Sequence, residues 1–232
     1  TRNVVQAALA AGVERFVLIS TDKAVCPTSI MGATKRVAEM IVQEAAMRSG
    51  RAFVAVRFGN VLGSRGSVVP LFKEQIAAGG PITITHPDMT RFFMTIPEAV
   101  QLVMQAASLA SPGQIYALDM GEPVRIVDLA KDLVELSGLK VGRDIEIVYT
   151  GLRPGEKLHE ELFTHEEQRT ATTFEKIFIA QSTPVDGERL YKMTDLLAQH
   201  AAHMDEAAIR QTLRELVPDF QEAEVPLLEG GS

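Results

Sequence analysis

Two short apolar runs, each preceded by a helical segment, constrain the fold of this chain more than any other feature. The runs are RFVLIS at 15–20 and AFVAVRF at 52–58. Nearly continuous apolar runs of this length are typical of parallel strands that are covered on both faces. A helical pattern over 4–13 precedes the first run, and an alanine-rich helical segment over 32–49 precedes the second. Strands that alternate with helices in this way predict an α/β fold with a buried parallel sheet.

A smaller α/β region is predicted after the second run. It begins with a glycine-rich loop that follows Asn60. Beyond the loop, the pattern predicts helices near 71–78, from Pro97 and over 126–137, and short strands at 82–85, 117–120 and 145–149. After residue 164 the pattern weakens, and the clearest feature there is an amphipathic helix near 206–216.

Composition excludes several classes of partner. With 46% hydrophobic and 23% charged residues, the 232-residue chain can bury a sizeable core. Its net charge of -7, without a long run of like charge, predicts no attraction to nucleic acid or to an anionic membrane surface. No apolar run reaches the ~20 residues of a membrane span, and the single cysteine, Cys26, cannot form an internal disulfide. We therefore expect a cytoplasmic protein without membrane contact from this segment.

The sequence predicts no metal site. His200 and His203 lie three residues apart, but no third potential ligand lies near them in the sequence. Cys26 is expected to be a small apolar filler, and no nucleophilic role is assigned to it.

The segment STDKAVCPTSIMGATKR, at 20–36, carries most of the chemistry. In a doubly wound sheet, ligands bind outside the carboxyl ends of the strands. The residues that follow the first predicted strand are Ser20, Thr21, Asp22 and Lys23. Adjacent carboxyl and amine groups at such an edge suggest proton transfer, and a solvated surface pair is the alternative interpretation.

Met31 and Lys35 add a second pair of candidate residues. They lie four residues apart near the start of a predicted helix, so they share a face and point at the same cleft. A lysine that is crowded by another cation such as Lys35, or desolvated in a cleft, loses its proton more easily. Lys23 is therefore suited to act as a base.

Five segments in a fixed order give the chain a specific resemblance. They are STDKA, GATKR, RFGNVLGSRGSVVP, THPDMTRFFMTIPEA and GLRPGEKLHEE. Together they resemble the UDP-N-acetylglucosamine 4,6-dehydratases, also called CapD-type polysaccharide biosynthesis proteins, over about residues 1–163. The run from Met31 to Lys35 takes the place of the tyrosine-x-x-x-lysine motif of short-chain dehydrogenases. The resemblance implies a Rossmann-like doubly wound parallel sheet with a small α/β substrate domain.

The activity that this resemblance implies is an NADP- or NAD-dependent dehydration without net redox change. Sugar C4 is oxidised, water is eliminated across C5 and C6, and C6 is then reduced, which yields a UDP-4-keto-6-deoxy sugar for surface polysaccharide. In relatives, the residues at the positions of Lys23 and Asp22 serve as base and acid of the elimination. The counterpart of Lys35 holds the nicotinamide ribose, and Ser20 is expected beside the cofactor.

Met31 departs from the usual motif of the resembling family. A tyrosine hydroxyl usually removes the proton of the C4 hydroxyl, and a thioether cannot do so. Some members of the family resemble this sequence in carrying methionine here. Thr21, Asp22 or a water molecule is expected to take the proton instead, and Met31 is expected to serve in packing.

The remaining motifs resemble the parts of the family that bind the UDP-sugar substrate. Guanidinium groups and free backbone N–H groups suit a diphosphate, and glycine permits close backbone approach. The predicted substrate-binding residues are Asn60, Arg65, Gly66, Ser67, Val68, Arg91, Arg153 and Glu156. The alternative is that the last three form structural ion pairs.

The resemblance divides the chain into three predicted segments. Residues 1–62 form the second half of the Rossmann domain, 63–163 form the UDP-sugar-binding region, and 164–232 form a helical extension. No G-x-x-G-x-x-G loop, which cradles a dinucleotide pyrophosphate at a helix N-terminus, occurs in the chain. Thr1 lies inside a helical pattern, so we expect the chain to be a fragment that lacks the glycine-rich half and has no activity.

Two alternative functions remain open from the sequence. One is another extended short-chain dehydrogenase, such as a 5-inverting dehydratase or a sugar epimerase. The other is a non-catalytic module that binds nucleotide sugars. The complete protein is expected to be a homo-oligomer. A preceding N-terminal segment is a candidate for anchoring it to the inner membrane.

Overall fold

The computed structural model describes residues 1–64, 66–164, 167–181 and 184–222, and helices alternate with strands along most of them. The helices are α1 (Arg2–Ala10), α2 (Ile30–Ser49), α3 (Val68–Ala77), α4 (Ile96–Leu109), α5 (Ile126–Leu136), α6 (Gly187–Ala202) and α7 (Glu206–Leu216). The strands are β1 (Arg15–Ile19), β2 (Ala52–Arg57), β3 (Asn60–Val61), β4 (Ile82–Ile84), β5 (Thr90–Arg91), β6 (Phe93–Met94), β7 (Ile115–Leu118), β8 (Val124–Arg125), β9 (Ile147–Tyr149), β10 (Gln168–Ala171) and β11 (Ile177–Gln181).

A five-stranded sheet in the order β1-β2-β7-β11-β10 forms the centre of the molecule. β1, β2 and β7 are parallel, whereas β11 and β10 run antiparallel to their neighbours. The helix between the first two strands, α2, begins where the Ser29 hydroxyl accepts a hydrogen bond from the Gly32 N–H. It ends at Gly50, whose φ of 68° is a left-handed conformation that glycine adopts without strain. The predicted α/β fold with a parallel sheet is confirmed.

The two faces of β2 pack against different helices, because successive side chains of a strand point to opposite faces. Phe53 lies in a cluster with apolar residues of α1, α2, α6 and α7, among them Val42 and Leu213. Val54 and Val56 lie in a second cluster, which includes the buried face of α4. The central strand is therefore covered on both faces, as its apolar run predicted. None of the described helices combines the length and the apolar character needed to cross a membrane.

The structure does not divide the chain at the boundaries of the three predicted segments. Residues 168–181, expected within a helical extension, contain β10 and β11, and β11 pairs with β7. β7 itself lies within the predicted substrate-binding segment 63–163. All three predicted segments thus contribute strands to one sheet. The run IFIAQ at 177–181 forms β11, a strand that periodicity alone does not predict, because so short an apolar run is also compatible with a helical segment.

β1 is less buried than its apolar run predicted. Within the described residues it pairs only with β2, so it lies at an edge of the sheet. Ile19, its last residue, is 46% exposed. The expectation of a fully buried strand is wrong for β1, because a strand needs covering neighbours as well as apolar side chains.

The smaller α/β region consists of α3, α5 and three short strand pairs. β3 pairs with β6, β4 with β9, and β5 with β8. Its core includes Phe72 and Ile76 of α3, Ile82 of β4 and Val127 of α5. β3 begins three residues after the end of β2. This region therefore starts at the carboxyl edge of the central sheet.

Candidate functional site

The carboxyl ends of β1 and β2 bring the predicted catalytic segment into place. Ile19 at the end of β1 is in register with Val56 of β2. The chain then forms one turn of 3-10 helix over Asp22–Ala24, and the Asp22 N–H donates to the carbonyl oxygen of Phe58 at 3.2 Å. Backbone hydrogen bonds thus fix the acidic and basic pair at the edge where α/β sheets bind ligands.

Asp22 and Lys23 form a pair that is partly shielded from solvent. The Asp22 side chain has no exposed surface, and its Oδ1 accepts hydrogen bonds from Thr21 Oγ1 at 2.8 Å and from Lys23 Nζ at 3.0 Å. Its other oxygen, Oδ2, is buried and has no hydrogen-bond partner among the described residues. An unpaired buried carboxylate oxygen is uncommon in a folded protein. The interpretation of Asp22 and Lys23 as a solvated surface pair is therefore wrong.

Glu160 is a third charged residue of this cluster. It lies in the segment GLRPGEKLHEE, but nothing in the sequence distinguishes it from the other charged residues of that segment. Its side chain is 3% exposed, and its Oε1 lies 3.4 Å from Lys23 Nζ and 3.9 Å from Arg91 Nε. Its Oε2 is buried without a hydrogen-bond partner in the part of the chain that the structure describes. The charged groups that contact Lys23 are thus carboxylates and not the Lys35 ammonium, which lies 3.4 Å from the Ile19 carbonyl oxygen.

Met31 lines a cavity and does not pack in the core. It is 49% exposed, and it contributes to the wall of a cavity of about 280 Å³ together with Lys23 and Glu160. The expectation that Met31 serves in interior packing is wrong, because the first turn of α2 faces this cavity.

Ser20 does not reach the cleft. Its side chain is buried, and its hydroxyl donates a hydrogen bond of 2.6 Å to Glu39 Oε1. The predicted place of Ser20 beside the cofactor does not agree with this direction, because the hydroxyl points toward the interior between β1 and α2.

Seven of the predicted substrate-binding residues line one larger cavity of about 540 Å³. They are Asn60, Gly66, Ser67, Val68, Arg91, Arg153 and Glu156. The eighth, Arg65, lies outside the described residues. Three of the seven, Arg91, Arg153 and Glu156, also line the smaller cavity that holds Lys23. The two cavities therefore adjoin, and two of the predicted catalytic residues, Lys23 and Met31, share one cleft with the predicted substrate-binding residues.

The two arginines of this cleft differ in how many contacts hold their side chains in place. Arg91 is nearly buried, donates to the carbonyl oxygens of Thr90 at 2.7 Å and Leu158 at 3.2 Å, and lies 3.6 Å from Glu156 Oε1. Arg153 is exposed at the mouth of the cleft. The structural ion pair that was the alternative for Arg91 and Glu156 is thus present, and Arg153 is the guanidinium with more freedom to approach a ligand.

The amino end of α3 also faces the larger cavity. Ser67 is the residue before the first turn of α3, and its hydroxyl oxygen is buried without a hydrogen-bond partner among the described residues. The first turn of a helix presents free backbone N–H groups, which attract anions. The glycine-rich loop and the start of α3 are therefore suited to an anionic group.

A buried ion-pair network lies directly behind the cleft. Arg57, at the end of β2, donates from Nε and Nη2 to the two carboxylate oxygens of Glu39 at 2.8 Å each, and from Nη1 to Glu167 Oε2 at 2.7 Å. Arg57 and Glu39 have no exposed side-chain surface. Burial raises the pKa of Glu39, but the charge and hydrogen bonds of Arg57 outweigh burial and hold that pKa below its ordinary value.

This network connects the two strand ends that carry the site. Glu39 accepts from Ser20, which directly precedes the catalytic segment, and from Arg57 at the end of β2. The sequence contains one signal that Glu39 needs a cation, although it does not identify that cation. Glu39 is three and seven residues before Val42 and Ala46, on the buried face of α2, and a carboxylate at such a position requires a cation.

Cys26 and the possible metal-binding side chains are two further features near the cleft. Burial raises the pKa of the half-buried Cys26 thiol, so this cysteine is a poor nucleophile near neutral pH. Among the described residues, no group of three or more histidine, cysteine, aspartate or glutamate side chains could hold a metal ion.

A close contact at Gly32 fixes the turn that carries Lys23. A Cβ at Gly32 would overlap the carbonyl oxygen of Lys23 and approach Pro27 Cβ to 3.1 Å. We expect Gly32→Ala to lower the free energy of unfolding by about 1–3 kcal/mol, since the backbone must shift to accept the methyl group. Unfolding in urea measures this loss.

Gly187→Ala is the matched control for that substitution. Gly187 is the first residue of α6, and the atoms nearest to its Cβ would be side-chain atoms of Glu44, at 2.9 Å or more. The control should lose less unfolding free energy than Gly32→Ala, about 1 kcal/mol or less, because a side chain adjusts more easily than the backbone. Equal losses in both variants would contradict a specific contact between α2 and the Lys23 turn.

The amino-acid sequence matches a known family over most of its length. The pattern of the family described as "Polysaccharide biosynthesis protein" matches residues 1–182. The capsular polysaccharide biosynthesis protein CapD of Staphylococcus aureus is 59% identical over 179 residues, 77% of this chain and 30% of CapD. The probable polysaccharide biosynthesis protein EpsC of Bacillus subtilis is 58% identical over 188 residues, 81% of this chain and 31% of EpsC. The chain thus spans about a third or less of these two relatives.

A solved structure extends this similarity to the fold. The X-ray structure of Pen from Bacillus thuringiensis superposes with a TM-score of 0.72 at 38% sequence identity. The superposition covers 80% of this chain and 58% of the Pen chain. The family match at 1–182 includes every residue of the two adjoining cavities.

Proposed function

Because the chain belongs to the polysaccharide biosynthesis protein family, we propose that it carries the substrate site and the acid–base pair of a nucleotide-sugar 4,6-dehydratase. The proposed substrate is UDP-N-acetylglucosamine. The observation that supports this proposal most is the position of Arg91, which lines both the larger cavity and the smaller cavity that contains Lys23. A ligand with an anionic end and a reactive sugar end fits such a pair of adjoining cavities.

The larger cavity suits the nucleotide and its diphosphate. Its volume of about 540 Å³ is that of a small-ligand site. In our proposal the diphosphate lies between the amino end of α3 and Arg153, because backbone N–H groups and a guanidinium both donate to phosphate oxygens. The unpaired hydroxyl of Ser67 is a further donor at this place. The sugar then extends toward the smaller cavity.

Lys23 and Asp22 would carry out the elimination. Neutral Lys23 takes the proton from sugar C5, and the electron pair of that C–H bond forms the double bond to C6. The C6–O bond breaks, and Asp22 donates the proton with which the oxygen leaves as water. Asp22 Oδ2 is the oxygen that would hold this proton, because Oδ1 already accepts two hydrogen bonds. The Asp22 side chain has no exposed surface, so in our proposal it turns toward the smaller cavity to deliver the proton.

Thr21 is placed to assist at the C4 hydroxyl. Met31 faces the cavity but has no group that removes a proton. The Thr21 hydroxyl donates a hydrogen bond to Asp22 Oδ1. A proton that Thr21 takes from the substrate can therefore pass along this hydrogen bond to the carboxylate. Thr21, Asp22 or a water molecule between them therefore replaces the missing tyrosine in our proposal.

The chain offers one end of a site for NADP or NAD. Lys35 is half-buried on α2, and its ammonium lies at the carboxyl end of β1, where it can donate to the hydroxyls of a nicotinamide ribose. Ser20 does not fit this role because its hydroxyl binds Glu39. When bound, the cofactor would supply the oxidation at C4 and the later reduction at C6.

The direct test is the mass of the product formed from UDP-N-acetylglucosamine by the polypeptide that the whole gene encodes. Loss of one water, 18 mass units, is expected. An unchanged mass with an inverted C4 hydroxyl would instead indicate an epimerase. UDP binding by calorimetry without any turnover would indicate a binding module. The isolated 232-residue chain is expected to bind UDP and to show no turnover.

A further inference from the structure

We propose that Glu160 is a positioning residue that holds Lys23 for the elimination and couples it to Arg91. This inference rests on the proposed function, and it assigns a role to a residue that is not among the predicted site residues. Glu160 is the carboxylate that lies between the two cations, at 3.4 Å from Lys23 Nζ and 3.9 Å from Arg91 Nε.

Burying the Glu160 carboxylate costs free energy unless a cation lies beside it. The Glu160 side chain is 3% exposed, and a carboxylate away from water requires a nearby cation. Each of its two cations also contacts a second carboxylate, because Lys23 contacts Asp22 and Arg91 contacts Glu156. Opposite charges therefore alternate along a line of five side chains from the larger cavity to the catalytic pair.

Glu160 restricts where the Lys23 amine can point. A lysine side chain has many rotamers, and one contact to Asp22 would leave Nζ free to swing. Carboxylate oxygens of Asp22 at 3.0 Å and Glu160 at 3.4 Å hold Nζ between them. Lys23 nevertheless keeps 30% of its side chain exposed toward the smaller cavity. The Lys23 amine thus stays aimed at the place proposed for the sugar.

Arg91 connects this position to the substrate end of the cleft. Arg91 lines both cavities, and it lies 3.9 Å from Glu160 and 3.6 Å from Glu156. A negative group that binds near Arg91 therefore acts on a cation of the same carboxylate that contacts the Lys23 amine.

The first test uses the isolated chain without cofactor or substrate. The rate at which the Lys23 amine reacts with acetic anhydride is measured by peptide mass spectrometry, with Lys35 as the internal reference. In Glu160→Gln we expect Lys23 to react about two- to five-fold faster, since a partly exposed ion pair is lost. The neighbouring Glu161, which is exposed, supplies the matched control Glu161→Gln, and its rate should equal that of the parent chain.

The second test uses turnover by the polypeptide that the whole gene encodes. Glu160→Gln is expected to lower kcat about 10- to 100-fold, as for loss of a hydrogen bond to a charged group, with KM and UDP affinity within about two-fold. Glu160→Asp restores the charge and should recover part of kcat. A residue with only a structural role would lower the free energy of unfolding and the UDP affinity together.

The outcomes separate this inference from the proposed function. Unchanged Lys23 reactivity in Glu160→Gln would overturn the inference whether or not the protein is a dehydratase. A parent protein that never releases water would overturn the proposed function, while a changed reactivity of Lys23 would still support the contact. An equal loss of kcat in Glu160→Asp and Glu160→Gln would overturn the need for a charge at this position.

Discussion

The Lys23→Arg variant is expected to fold and to bind UDP, yet to release water from UDP-N-acetylglucosamine about 10²- to 10⁴-fold more slowly than the parent protein. Arginine keeps the positive charge beside Asp22 and Glu160, which Lys23 contacts at 3.0 and 3.4 Å. It does not release its proton in proteins, so it cannot take the C5 proton. The variant therefore separates the charge of Lys23 from its use as a base.

A surface lysine provides the control for this substitution. Lys176 forms an ion pair with Glu98 away from the two cavities, so Lys176→Arg should leave turnover unchanged. Lys23→Met, which removes both the charge and the proton acceptor, should be no more active than Lys23→Arg. If Lys23→Arg kept more than about a tenth of the parent activity, Lys23 would act through its charge, and another group would be the base.

The Arg57→Met variant is expected to lose about 3 kcal/mol of unfolding free energy, because it removes the buried cation from two buried carboxylates. Of the cations in the described part of the chain, only Arg36, at 2.9 Å from Glu39 and 3.8 Å from Glu167, then remains beside them. Arg57 contacts Glu39 and Glu167, and all three side chains are at most 3% exposed. A loss of this size is a large part of the stability of an ordinary domain. Urea unfolding followed by circular dichroism measures it.

The double variant Arg57→Met with Glu39→Gln keeps this prediction testable if the single variant fails to fold. Removing the charge of Glu39 as well should recover part of the loss, since an uncompensated carboxylate is no longer buried. No recovery would mean that the packing of Arg57, and not its charge, stabilises the fold. Surface pairs such as Lys176 with Glu98 should show losses below about 1 kcal/mol.

The pH dependence of stability provides a second measurement of the same pair. The pKa of Glu39 is lower in the folded protein than its ordinary value of 4.5, because Arg57 outweighs the effect of burial. Its contribution is therefore present above pH 4.5 and disappears as the pH falls through the lower folded pKa. The parent protein should lose this part of its unfolding free energy on acidification, whereas Glu39→Gln should not.

The sequence predicts the local elements well where one signal dominates. The apolar run of β2 and the amphipathic pattern of α7 correspond to a buried strand and to the helix Glu206–Leu216. The structure also gathers seven predicted substrate-binding residues on one cavity wall. Motifs that follow the carboxyl ends of strands meet there because the sheet is parallel.

The sequence predicts less well those features that depend on which elements lie next to each other in space. Ile19 is exposed because β1 has only one strand partner among the described residues. Met31 faces a cavity because of the direction of the first turn of α2, which a helical pattern does not reveal. β10 and β11 join the central sheet through pairing with β7, a contact between segments about 60 residues apart.

By itself, the sequence determined the alternation of helices and strands, the family, and the chemical groups that follow each strand end. These properties follow from local periodicity and from residue types in order. Only the tertiary structure decided that Glu160 lies against Lys23, that Glu39 lies against Arg57, and that Ser20 points to the interior. The reason is physical, because a buried charge is stabilised by a partner in space, and that partner is distant in the chain.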